Sequence, residues 1–341
     1  MPDPMASRRR VLPRFVVLLA VLAALAAAAC RPDGSGGRAS AKPLRIAVIP
    51  IGTTHEFWKS VHAGALTAAK ELGVEIIWKG PLKEDDRNEQ IQIVETLAGA
   101  GVDALVLSPL DDRALIRPVA EARREGIPTI IFNSALQGDG YAAFIATDNF
   151  LGGTLAAKEI GRRTGGRGRL IMVRLMAGVE GTTKREEGFL ATLRSEFPGI
   201  EVVSENQYAG PSTETAYQTM ENLLARFGPV DAVFTPNEST TFGCLRALQD
   251  HGLAGRTVLV GFDSSEKLIE ALAKGDLAGL VLQDPVAMGY RSVKTAVAVV
   301  RGEPYAKREA TAVVLAVRDN MNEPSIARLL RPDLSILANS R

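Results

Sequence analysis

The feature that most constrains this chain is an alternation of two hydrophobic periods. From residue 44 onward, short apolar runs closed by Gly, Pro or polar residues take turns with longer stretches whose apolar residues recur every three or four positions. The first unit sets the pattern. Residues 44–51 are a short, mainly apolar run bounded by Pro43, Pro50 and Gly52, and residues 56–72 place Trp58, Val61, Ala65 and Ala68 on one helical face. A short run that is apolar on both sides reads as a strand buried on both faces, which is the habit of parallel sheets covered by helices.

The same unit recurs along the chain. Further strands are expected over 74–78, 104–108, 129–132 and 143–147, then over 170–174, 201–204, 232–235, 258–261 and 280–282. Helical patterns fall at 87–99, 114–124, 149–163, 183–197, 213–227, 240–250, 266–274 and 286–301, with a short terminal helix over 322–330. Strand, helix, strand units of this length build parallel sheets with helices on both faces. Ten strands are too many for one ordinary open sheet, so the expectation is an α/β fold of two doubly wound parallel-sheet lobes. A length of 341 residues suits two such lobes.

The N-terminus stands apart. Arg8, Arg9, Arg10 and Arg14 precede an apolar run over 15–29, and Cys30 follows small residues. That order is a secretory signal peptide, and the run is short for a membrane span, which takes about 20 apolar residues. A cysteine directly after the small residues resembles a bacterial lipoprotein signal, although Ala27 stands where such signals carry Leu. Cys30 is the expected lipidation site. Ser7-Arg8-Arg9-Arg10-Val11-Leu12 also resembles a twin-arginine export signal, so two export routes stay open. Residues 30–43 have the Gly/Ser composition of a flexible tether.

Charge and cysteine counts follow the same division. The full chain carries 40 Lys+Arg against 39 Asp+Glu, a formal +1; losing residues 1–29 removes four Arg and one Asp and leaves −2. Neither value suits a nucleic-acid binder, which needs a strong positive field. With Cys30 lipidated, Cys244 is the one remaining thiol. Its helical apolar neighbours, Phe242, Leu245 and Leu248, read it as core rather than nucleophile.

Open α/β sheets bind ligands beyond the carboxyl ends of their strands. Those places hold Thr53-Thr54-His55-Glu56-Phe57-Trp58, Asn133-Ser134, Thr147-Asp148-Asn149, Pro236-Asn237-Glu238, Phe262-Asp263-Ser264 and Gln283-Asp284. Amides, carboxylates and hydroxyls beside aromatic rings suit a neutral polyhydroxylated ligand. Each hydroxyl both donates and accepts, and planar polar groups can engage two neighbouring hydroxyls. The C–H face of a sugar packs on an aromatic ring.

Several blocks in one order carry a resemblance: Asp148-Asn149-Phe150-Leu151-Gly152-Gly153, Lys184-Arg185-Glu186-Glu187-Gly188-Phe189, Val233-Phe234-Thr235-Pro236-Asn237-Glu238 and Val260-Gly261-Phe262-Asp263. From Leu44 to about Val317 the chain resembles the ribose/galactose-type (type I) periplasmic sugar-binding proteins, relatives of the LacI-type repressor core. The resemblance implies lobe 1 from 44–147 plus 284–310 and lobe 2 from 148–283 plus 311–335, joined by a three-segment hinge. It implies a monosaccharide held by His55, Phe57, Trp58, Asn133, Arg185, Asn237, Asp263 and Gln283, with Phe57 and Trp58 sandwiching the ring. His55 falls where ribose binders have Asn, and Asn133-Ser134 replaces their Asp-Arg pair, which puts ribose itself in doubt. It further implies a monomer in the periplasm, attached to the membrane through its lipid alone, delivering sugar to ABC permease subunits. The alternative is a membrane-tethered receptor for another small polar ligand, such as a signalling furanose, polyol or nucleoside.

Each site residue has a plainer role available. Trp58 could be core, Arg185 a solvated helix residue, Asp263 a helix cap, and Asn237 and Gln283 turn or strand-end residues. Asp148 reads as a cap. The three histidines, His55, His62 and His251, form no zinc-site spacing with Cys or carboxylates. No Gly-x-Ser-x-Gly elbow or Gly-Lys-Ser/Thr phosphate loop is present. The expectation is therefore no enzyme, no cofactor and no metal.

Overall fold

The computed structural model describes residues 42–339. The expected signal peptide, Cys30 and nearly all of the expected tether lie outside the described residues. Lobe 1 is a six-stranded, fully parallel sheet of β1 (Arg45–Ile49), β2 (Glu75–Trp78), β3 (Ala104–Leu107), β4 (Thr129–Phe132), β5 (Ala143–Thr147) and β11 (Arg308–Thr311). Their spatial order is β11-β5-β4-β3-β1-β2. Lobe 2 repeats the plan with β6 (Arg167–Arg174), β7 (Gly199–Tyr208), β8 (Ala232–Phe234), β9 (Val258–Phe262), β10 (Gly279–Gln283) and β12 (Val313–Ala316), in the order β12-β10-β9-β8-β6-β7. The two doubly wound lobes read from the sequence are both present.

Strands β11 and β12 were not expected as strands. Arg308-Glu309-Ala310-Thr311 has no apolar run, because it is an edge strand, and its pairing to β5 is carried by the backbone. One residue later the chain enters the other sheet. That tight passage leaves β12 antiparallel to β10, the one antiparallel pair among the named strands.

Period-2 alternation explains why both sheet faces are covered. Ile46 and Val48 join one cluster with α1 (Glu56–Leu72) and α9 (Pro285–Arg301), while Ala47 and Ile49 join another with α2 (Arg87–Gly99) and α3 (Ile116–Arg124). In lobe 2, Leu170 and Met172 meet α4 (Asn149–Thr164) and α5 (Glu180–Glu196). Ile171 and Val173 face α6 (Thr213–Phe227), α7 (Glu238–Asp250), α8 (Glu266–Lys274) and α10 (Pro324–Leu330). Cys244 lies in that last cluster at 0% exposure, where burial pushes its thiol pKa well up.

The chain passes between the sheets at 147–149, 283–285 and 311–313. At the first two passages an aspartate caps the entering helix: Asp148 accepts from Leu151 N at 2.9 Å and Asp284 from Ala287 N at 3.0 Å. Each entering helix then packs tightly on the first helix of the lobe it joins. A β-carbon at Gly64 of α1 would strike the Val286 carbonyl of α9, and one at Gly289 would strike that of Val61. Gly153 and Gly188 make the same mutual approach between α4 and α5. Of these pairs, α1 carries Phe57 and Trp58 and α5 carries Arg185.

Candidate functional site

A cavity lies between the lobes at the carboxyl ends of both sheets. Its lobe 1 wall begins where β1 turns into α1. His55 occupies the N-cap position of α1 yet makes no cap bond with its side chain. The ring turns instead to Glu84, with Nδ1 2.9 Å from Oε1, and Trp58 Nε1 donates to the same oxygen at 2.5 Å. Burial opposes a charge on His55, but the Glu84 hydrogen bond and the fields of Glu84, Glu238 and Asp263 outweigh it and raise the imidazole pKa to about 9. His55 is thus an imidazolium at neutral pH.

Asn133 follows β4 and completes this wall. Its φ of 62° lies in the left-handed region, which Asn tolerates better than most residues, and its Nδ2 donates to Ser108 Oγ at 3.0 Å. Asp263 holds the same position after β9 in lobe 2, with φ 65°. The two left-handed residues end equivalent strands of the two sheets and both line the cavity.

In lobe 2, the α5 helix delivers Arg185, only 3% exposed. Its Nε donates to Asn149 Oδ1 at 2.8 Å and its Nη1 to the Pro236 carbonyl at 2.7 Å. The guanidinium stacks 4.5 Å above the Phe262 ring and lies 3.9 Å from Asp263 Oδ2. Burial pulls the guanidinium pKa down against the opposing field of Asp263. Burial likewise raises the Asp263 pKa, while Arg185 and a Gln283 hydrogen bond restrain the rise. Asn237 donates to Ser239 Oγ at 2.9 Å, whereas its buried Oδ1 has no partner. A buried acceptor without a donor is costly, and this one borders the cavity, so it suits a ligand hydroxyl.

Gln283 ties the site to the passages between the lobes. Its Nε2 donates to Asp263 Oδ1 at 2.7 Å, and its Oε1 accepts from Thr147 Oγ1 at 2.8 Å. Thr147 Oγ1 in turn lies 3.2 Å from Thr311 Oγ1. One chain of hydrogen bonds thus threads all three passages and ends on a cavity carboxylate. Further bonds join the lobes beside the cavity: Gly181 N donates to Ser134 Oγ at 3.2 Å, and Ala135 N to Glu180 Oε2 at 3.1 Å.

All eight candidate residues, His55, Phe57, Trp58, Asn133, Arg185, Asn237, Asp263 and Gln283, line this one cavity. The sandwich of Phe57 and Trp58 around a sugar ring is corrected. Their rings meet edge to face at 88° with centroids 4.8 Å apart, which leaves no gap for a ring between them. Both belong to the lobe 1 core cluster, together with Leu175 and Val179 from lobe 2. Asp263 is not a helix cap, since Ser265 holds that position on α8.

Glu84, Glu238, Leu175, Val179 and Thr182 also line the cavity, beyond the eight candidates. Glu84 sits in Leu82-Lys83-Glu84-Asp85-Asp86, a charge run that reads as solvated, yet it is only 5% exposed. Leu175 and Val179 look like ordinary apolar loop residues. Among the described residues no cluster of His, Cys, Asp or Glu could hold a metal ion.

Two doubly wound lobes, three passages between them and a polar cavity at the shared carboxyl ends define an α/β clamp for one small ligand. The periplasmic binding protein domain family matches residues 46–304, and the chain belongs to it. Among curated relatives, the xylitol-binding protein of Mycolicibacterium smegmatis is 26% identical over 295 residues, 86% of this chain and 82% of the relative. The ribose import binding protein of Escherichia coli is 29% identical over 258 residues, 76% of this chain and 85% of the relative. Among solved structures, a carbohydrate transporter solute-binding protein from Agrobacterium radiobacter in complex with D-arabinose superposes with a TM-score of 0.82. It is 32% identical and covers 86% of this chain and 100% of its own. An ABC transporter solute-binding protein from Agrobacterium vitis with bound D-fucose gives a TM-score of 0.81 at 31% identity, covering 84% of this chain and 100% of its own.

Proposed function

We propose that this protein is the solute-binding component of a sugar ABC importer, exported to the periplasm, closing its two lobes on one neutral monosaccharide for delivery to the permease. The observation that carries this reading is the convergence of side chains from both lobes on one cavity, including the unpartnered Asn237 Oδ1. A sugar touching both walls at once has higher affinity for the closed arrangement and shifts the population toward it. His55, Asn133, Arg185, Asn237, Asp263 and Gln283 engage hydroxyls, and Phe57 and Trp58 offer one aromatic wall to the C–H face. The relatives are transport proteins rather than enzymes, and no reaction is proposed. Lipidation at Cys30 and a monomeric state belong to the same proposal.

The xylitol-binding relative favours a second reading of the ligand, an open-chain polyol. The cavity permits it, because the aromatic rings meet at 88° and require no flat sugar between them. A thermal-shift screen of the exported chain against D-arabinose, D-ribose, D-allose, D-fucose and xylitol separates the two. Ligand at 100 times its Kd adds about 2.7 kcal/mol to stability. A shift with xylitol alone selects the polyol; no shift with any member of the panel refutes both readings.

A further inference from the structure

We propose that Glu238 is a positioning residue for ligand capture: carried by lobe 2, its carboxyl group docks on the N-terminus of α1 in lobe 1 and registers the two lobes as the cleft shuts. The proposal rests on the reading of this protein as a closing clamp. Glu238 Oε2 accepts from Phe57 N at 3.2 Å and Oε1 from Glu56 N at 3.4 Å. These are first-turn N–H groups of α1, which have no partner inside the helix. On α2, α4, α6 and α9 such groups are met locally, by Asp86, Asp148, Ser212 and Asp284, and on α5 Gly181 N is met from lobe 1 by the Ser134 hydroxyl. On α1 the N-cap residue is His55, whose ring is committed to Glu84, so the cap comes from the opposite lobe. Phe57 and Trp58 stand on that same first turn. Docking Glu238 therefore orders the aromatic wall together with the interlobe gap.

The surroundings of the carboxyl group give closure a proton dependence. His55 and Glu56 face it from α1, Glu84 from the loop before α2, and Asp263 from the end of β9; Arg185 of α5 holds the Pro236 carbonyl two residues before it. Burial raises the Glu238 pKa to about 7, against the pull of His55 and the two backbone N–H groups, and Asp263 adds to the rise. With the lobes apart the carboxyl is solvated and returns toward an ordinary glutamate value of about 4.3. The closed form thus binds the proton more tightly. Its advantage is full below the open-state pKa and is lost as pH rises through the closed-state value. His55 and Glu84 share lobe 1, so their hydrogen bond does not depend on closure, whereas the fields of Glu238 and Asp263 on the imidazole do. Asp263 is buried by closure too, and its raised pKa acts in the same direction.

The test reads lobe separation directly in the sugar-free protein, by electron–electron resonance between spin labels at Arg117→Cys and Glu214→Cys. Both positions are exposed, one on each lobe; Cys30→Ser removes a competing thiol, and Cys244 is buried. Between pH 8 and pH 5.5 the closed-to-open ratio should rise roughly tenfold or more, the span set by one proton between the two pKa values. Glu238→Gln should hold the closed ratio high and weaken its pH dependence, leaving the part that Asp263 and His55 supply, since the amide mimics the neutral carboxyl. Glu238→Ala should show the same weakened pH dependence and be more open. Wild-type lobe separation that ignores pH, or a Glu238→Gln protein that titrates like wild type, overturns the proposal. D-arabinose and xylitol are added in a separate arm: failure of both to bind counts against the ligand reading, while the sugar-free titration still decides the role of Glu238.

Discussion

Replacing Arg185 by Met separates a guanidinium that organises the site from one that merely sits in it. The Met side chain fills most of the space of the arginine stem, so the main loss is polar. Asn149 Oδ1 and the Pro236 carbonyl lose the donors at 2.8 and 2.7 Å, and the Asp263 carboxylate loses its buried cation at 3.9 Å. Breaking a buried ion pair from one side costs about 3–5 kcal/mol, and each orphaned acceptor about 1–3 kcal/mol. The losses share one network and do not add, so about 3–5 kcal/mol is expected in all. At about 2–4 °C per kcal/mol, the melting temperature falls by roughly 6–20 °C. Asp263 supplies a second signature. Burial already raises its pKa, and Arg185 is the largest influence holding it back, so the variant raises it further. A folded-state pKa above the unfolded one gives stability at low pH that is lost as pH rises through the folded value. The deficit of Arg185→Met should therefore be larger at pH 8 than at pH 5. Adding Asp263→Asn to Arg185→Met should recover part of it at pH 8 by removing the stranded charge. Scanning calorimetry of the three proteins at both pH values is the assay. A melting temperature within about 2 °C of wild type at pH 8, or a deficit equal at both pH values, would falsify the reasoning.

Two other predictions concern the frame around the site. Gly64→Ala should destabilise the protein by about 1–3 kcal/mol, because the added carbon meets the Val286 backbone and α1 must move off α9. Gly99→Ala, whose β-carbon meets nothing within 4 Å, is the matched control and should be neutral or stabilising; equal denaturation midpoints for the two would contradict the close crossing. His62 stacks on Trp78 with centroids 4.3 Å apart, and burial lowers its pKa to about 4. The unfolded chain therefore takes up the proton first, and stability should decline as pH falls from 6.5 toward 4. His62→Phe should flatten that decline, read as urea midpoints at pH 7 and pH 4.5; an unchanged slope would assign the acid loss to other groups.

How much of this was legible in the sequence follows from which signals are local. Helices 56–72, 87–99, 213–227 and 266–274 coincide with α1, α2, α6 and α8, because an amphipathic face and its stop signals lie within the segment itself. Helix α5 begins at Glu180 rather than 183, since its first turn is held by Ser134 and Ala135 of the other lobe, which no local pattern reports. Strands β11 and β12 were invisible for a related reason: their pairing is long-range and β11 is polar. The eight cavity residues could be found because strand ends are where this architecture places ligands. Glu84 and Glu238 could not be ranked, since a carboxylate in a charge run and one opening a helix both look solvated until a partner from a distant segment covers them. What ties these cases together is the repeated plan of the lobes. The helix entering each lobe from the other, α9 or α4, crosses at glycines on the helix that presents that lobe's half of the site, α1 or α5. Asn133 and Asp263 then close the same corner of each sheet in the same left-handed conformation. α9 thus meets the helix that carries Phe57 and Trp58, and α4 the helix that carries Arg185. The helices that leave the passages therefore pack directly on the helices that line the cavity, and Gln283 links the passages to Asp263.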